Sequence, residues 1–114
     1  MEFDNYTVAL LVRRPDAPDL GEDRLAELQD AHLSHLADLH EAGVLLAVGP
    51  LRDAEFAGLS ILDADPREAL DLKLADPAVR AGLYTVRVMP WMLPSGLVTF
   101  TPGRVPRSMA EVTS

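Results

Sequence analysis

The apolar positions of this chain switch between two periods, and the switches mark its elements. Residues 6–13 alternate, placing Tyr6, Val8, Leu10 and Val12 on one face of an extended strand and Thr7, Ala9, Leu11 and Arg13 on the other. Pro15, Pro18 and Gly21 break that alternation and predict a loop. Over residues 22–42 the period lengthens. At roughly 100° per residue, Leu25, Leu28, His32, Leu36 and Leu39 form one helical stripe, with Arg24, Glu27, Asp30, Ser34, Asp38 and Glu41 over the remaining surface. Gly43 predicts the stop. Residues 44–49 read as a short apolar strand, and Gly49-Pro50 leads into a turn.

Residues 57–63 predict a third strand, with Leu59 and Ile61 on one face and Gly58, Ser60 and Leu62 on the other. Asp65-Pro66-Arg67-Glu68 then combines a capping acid, a proline at the first helical position and a glutamate able to close a capping box. The helix it starts runs to about Ala75, with Ala69, Leu70, Leu72 and Lys73 available for its buried side. Asp76-Pro77 opens a short turn, and Gly82 resets the chain. Residues 83–89 form a fourth strand, Tyr84, Val86 and Val88 facing one way, Thr85 and Arg87 the other.

The order β-α-β-β-α-β predicts an α+β, ferredoxin-like domain with an antiparallel sheet and both helices on one face. The opposite face is expected to carry Thr7, Arg13, Thr85 and Arg87 among apolar groups. Such a mixed surface suits pairing with a second copy around a cavity. Residues 1–91 make this domain; residues 92–114, punctuated by Pro94, Gly96, Pro102, Gly103 and Pro106, form a C-terminal extension. Only residues 97–101 look strand-like there, which suggests an extra strand or a dimer arm with a disordered end.

Bulk properties narrow the function classes. At 48% hydrophobic and 25% charged, the 114-residue chain matches an ordinary globular domain. A net charge of −8, with no cluster among ten basic residues, argues against nucleic acid and against an anionic membrane surface. There is no cysteine, so disulfides, thiolate metal sites and cysteine nucleophiles are excluded. No signal-peptide pattern opens the chain, and its longest apolar run, residues 44–48, is far too short to span a bilayer. A cytoplasmic protein is expected.

His32 is the first candidate for chemistry. It sits mid-stripe, where leucine would be unremarkable, and a buried imidazole needs a partner for at least one nitrogen. It is either an acid/base group or a core histidine satisfied by a carbonyl, and the helix alone does not choose. His35 and His40 lie off the stripe or on its edge and are expected at the surface. No third ligand stands at a metal-site spacing, so no metal is expected. No nucleotide loop, nucleophile elbow or zinc motif is present, and no cofactor is expected.

An ordered set of residues carries a resemblance. His32-Leu33, Leu36, Leu39 and Gly43, then Leu45-Leu46, Gly49-Pro50, Gly58, Ala69, Asp76-Pro77, Gly82-Leu83-Tyr84 and Pro90-Trp91 together resemble the YciI-like (YCII-related) domain family. The resemblance implies a dimeric α/β barrel of ferredoxin-like subunits, and an active site made of a histidine and an aspartate that fall here on His32 and Asp76. Gln29 stands where many members carry arginine, and Ala78 where an aromatic commonly follows Asp-Pro. Substrate identity therefore does not carry over.

In such a dyad the carboxylate fixes the tautomer of the ring and leaves its other nitrogen free to move a proton. Asp76 has a competing structural use as the cap of a short turn, and one residue can do both. Arg87, on the expected cavity face, is a candidate to hold an anionic substrate. Arg52, after Gly49-Pro50, is a candidate to border the pocket, and Trp91 to stack on a ring or anchor the tail. Two functions follow. One is a cofactor-independent lyase or isomerase, a homodimer using His32 and Asp76 on a small oxygenated cyclic molecule; the other is a non-catalytic dimeric module that binds a small molecule or a protein.

Overall fold

A computed structural model describes residues 1–114. Its elements are β1 (Phe3–Arg13), α1 (Glu22–Glu41), β2 (Leu45–Pro50), β3 (Phe56–Leu62), α2 (Pro66–Leu74), α3 (Pro77–Arg80), β4 (Tyr84–Pro94) and α4 (Met109–Thr113). The four strands form one antiparallel sheet in the order β2-β3-β1-β4. With the two longer helices on one face, this is the ferredoxin-like α+β arrangement that the hydrophobic periods predict.

Local chemistry sets the boundaries. α1 ends where Gly43 adopts φ 82°, a left-handed conformation open to glycine at no steric cost. The Val44 N–H then donates back to the Leu39 carbonyl at 3.1 Å and closes the helix end. At the start of α2, the Asp65 side chain accepts from the Glu68 N–H at 2.8 Å, a cap worth about 1 kcal/mol. The core joins all layers: Leu36 and Leu39 of α1 and Ala69 of α2 pack with Ala9, Leu45 and Leu62 of the sheet.

The register corrects the expected faces. Thr7 pairs with Leu62 and Pro90, and Ala9 with Ser60 and Val88, so Thr7, Ala9, Leu11, Val86 and Val88 share the helix-covered side. Thr7 is fully buried there, its hydroxyl donating to the Ala64 carbonyl at 2.6 Å. Arg13 lies opposite Tyr84 on that same side. The open face instead carries Tyr6, Val8, Leu10, Val12, Leu59 and Met89, with Thr85 and Arg87 among them. Both faces of β1 are largely apolar, so alternation alone did not say which one meets the helices. Register decides it.

The C-terminal extension also departs from expectation. β4 continues to Pro94, pairing along its whole length with β1 as far as Phe3. Residues 97–101 form no strand. Phe100 packs edge-on against Tyr6, with ring centroids 5.2 Å apart. The chain then reaches α1 and ends in α4. Arg107 fastens it, pairing with Asp38 at 2.9 Å and Glu41 at 2.8 Å, and the Met109 N–H donates to Asp30 at 2.8 Å.

Candidate active site

Two turns of the chain converge to make the centre. Leu28, Leu36 and Leu39 anchor α1 in the core and carry the His32 ring inward, whereas Leu25, placed on the same stripe, is exposed. Asp76 stands between α2 and α3, where extended backbone and the following Pro77 suit a cap. Its Oδ1 accepts from the Ala78 N–H at 2.9 Å, and its Oδ2 meets His32 Nδ1 at 2.5 Å. Asp76 is completely buried, and the His32 side chain retains 13% exposure.

Burial pushes the Asp76 carboxyl up, but the His32 bond and charge, the Ala78 N–H and the nearby Lys73 outweigh it and hold it below the ordinary carboxylate range. An ionised Asp76 can only accept, so Nδ1 carries the hydrogen and Nε2 is the nitrogen left for proton exchange. Nε2 has no hydrogen-bond partner within the protein.

His32 lines a cavity of about 540 Å³ on the helix side of the sheet. Its floor is Leu11, Gly58 and Ser60; Gln29, Leu33 and Leu36 of α1 form one wall. Val105, Pro106, Met109 and Val112 of the C-terminal segment close another, and Arg13 and Tyr84 stand among the lining residues. Lys73 reaches it from α2, nearly fully buried, with Nζ donating to Ser60 Oγ at 3.0 Å. Desolvation lowers the Lys73 ammonium from the usual lysine range, against the opposing pull of Asp76.

The remaining candidates lie elsewhere. Arg87 is exposed on the open face opposite Leu10, so the whole sheet separates it from His32. Trp91 shares that face and packs against Tyr6, ring centroids 6.2 Å apart. Arg52 is exposed in the connection after β2. None of the three lines the cavity. His35 and His40, expected at the surface, are half-buried: His35 Nε2 lies 3.0 Å from the Leu72 carbonyl, while His40 has Nδ1 2.7 Å from the Leu45 carbonyl and Nε2 3.0 Å from that of Gly103. No three His, Asp or Glu side chains are grouped to hold a metal ion, and no helix is long and apolar enough to cross a membrane.

Ser60, Lys73 and Tyr84 were not expected at a cavity, and Arg13 was expected at one on the opposite face of the sheet. A signal existed for Lys73. It is the only lysine in the chain and lies four residues after Ala69 on the apolar side of α2.

Comparisons with known proteins bear on the whole domain. The family model described as the YCII-related domain matches residues 6–92. Among solved structures, the chain is similar to 5-chloro-2-hydroxyhydroquinone dehydrochlorinase (TftG) from Burkholderia phenoliruptrix AC1100, in complex with 2,5-dihydroxybenzoquinone. That likeness has a TM-score of 0.57 at 21% identity and covers 75% of this chain and 92% of the other. It is a likeness of fold. No curated protein matches.

Proposed function

The chain belongs to the YCII-related domain family, and we propose that it is a cofactor-independent acid/base enzyme of lyase or isomerase type acting on a small oxygenated cyclic molecule. The observation that carries this reading is the His32–Asp76 pair at 2.5 Å, its imidazole lining a cavity of about 540 Å³. That volume suits a molecule of one or two rings. The activity of the similar dehydrochlorinase, on a chlorinated hydroxyhydroquinone, supports the same substrate class.

In the proposed reaction His32 Nε2 takes a proton from a carbon or hydroxyl of the bound ring, and Asp76 holds the resulting imidazolium in place. The electron pair so released forms a new double bond as a leaving group departs from the adjacent carbon, or it is reprotonated at another position. Leu33, Leu36 and Leu11 exclude water from that exchange. The proton leaves His32 for solvent or product, restoring the ring.

A cytoplasmic homodimer is the assembly we propose, with the open sheet faces of two copies packed together. The half-buried Tyr6, Val8, Leu10 and Leu59, together with the exposed Met89, support it, since they make a continuous apolar surface on one side of a small domain. The reading is tested with His32→Asn in a turnover screen of chlorinated and hydroxylated hydroquinones. Loss of about 10²–10⁴-fold in rate with unchanged ligand affinity supports it. Binding by the wild type without turnover of any compound assigns a binding module instead.

A further inference from the structure

The chain's single lysine occupies an unusual place. Lys73 is 1% exposed, yet its ammonium joins no ion pair. One of its three donor hydrogens is used, on Ser60 Oγ at 3.0 Å. Asp76 attracts it from a distance but has both oxygens engaged, one by His32 and one by the Ala78 N–H. A buried ammonium left in this state costs free energy that a well-packed apolar side chain would not.

The rest of the cavity wall sharpens the point. The protein carries a net charge of −8, but no aspartate or glutamate lines this cavity; its formally charged lining groups are Lys73 and Arg13. Arg13, exposed, donates to the Asp53 carbonyl at 2.6 Å and forms no ion pair. A hollow held positive inside an acidic protein selects for negative charge in its occupant.

We propose that Lys73 is the specificity-determining residue of this cavity and that the ligand is a compact organic anion with an apolar body. Its oxyanion, a carboxylate or an enolate, accepts from Lys73 Nζ, and its body lies against Leu11, Leu33 and Leu36. Arg13 supplies a second positive charge. This deepens the function proposed above, on which it rests for the site but not for the chemistry.

The experiment uses the full chain and two probes of equal shape, 2-hydroxybenzoate and the uncharged 2-hydroxybenzamide. By titration calorimetry at neutral pH the acid binds the wild type about tenfold more tightly or better, the size expected of a charge-assisted hydrogen bond. Lys73→Met removes that preference, so that the acid and the amide bind the variant alike. A second measurement needs no variant: because there is one lysine, ¹⁵N labelling of lysine gives one side-chain amine signal, which the acid shifts and the amide does not. Equal affinity of the two probes, binding of neither up to about 5 mM, or an unmoved signal overturns the proposal. These are binding measurements, so a chain that prefers the acid but turns nothing over keeps this inference and loses the catalytic one.

Discussion

Asp76 holds His32 with one oxygen and caps its own turn with the other, so each of its two carboxylate oxygens has a separate partner. The dyad and the turn before β4 are one structure. A change that serves one partner must still satisfy the other.

Asp76→Asn tests this directly. The Ala78 N–H requires an oxygen, which turns the new amide NH₂ toward His32 Nδ1 and forces that nitrogen to accept. The ring is then expected to move its hydrogen to Nε2. Two-dimensional ¹H–¹⁵N spectra of the neutral ring report the tautomer, with Nδ1–H expected in the wild type and Nε2–H in the variant. Turnover should fall by about 10²–10⁴-fold with the fold intact.

Stability should depend on pH through the same carboxyl. Asp76 titrates lower folded than unfolded, where about 3.9 applies. Its contribution is therefore fully present above that value and is lost as pH falls through the lower folded value, because the unfolded chain then binds the proton more readily. Urea denaturation between pH 7 and pH 2 should show the gap between wild type and Asp76→Asn closing only at the acid end.

Lys73 has the opposite dependence. Its folded value is lowered, so the penalty of burying the ammonium is full below that folded value and fades as pH rises from it toward the unfolded value of about 10.4. Lys73→Met should raise stability by about 1–2 kcal/mol at pH 7 and by progressively less as the solution is made alkaline. Equal gains at both ends would contradict the placement of Lys73 in a desolvated wall.

The open face gives an oligomerisation test. Val8 lies between Ile61 and Met89 there. Sedimentation at micromolar concentration should show a dimer for the wild type and a monomer for Val8→Glu. A wild-type monomer would remove the proposed assembly and leave the cavity intact.

Arg107 should control the C-terminal segment. Arg107→Ala removes the pairings with Asp38 and Glu41, and amides of residues 104–113 should then exchange faster with deuterium while the sheet remains protected. Added salt should move the wild type in the same direction, since these pairs are exposed.

Much of this architecture is legible in the sequence because local rules and tertiary packing agree. The 3.6-residue stripe on α1, the Asp65-Pro66 start of α2 and the left-handed Gly43 are each set by nearby residues. What local rules could not supply was sidedness. Thr7 looked polar enough for the open face, but the Ala64 carbonyl, 57 residues away, makes it a core residue. Arg87 does lie on the open face, as its alternation predicts, but the cavity is on the other side of the sheet. His40 was likewise unreadable, since one of its two partners is Gly103 in the tail.

The wall that Met109 and Val112 contribute comes from α4, an element that holds neither His32 nor Asp76. Room for a guest is thus adjustable apart from the pair itself. Recoding those two positions would retune which molecules fit while leaving the imidazole and its carboxylate as they stand.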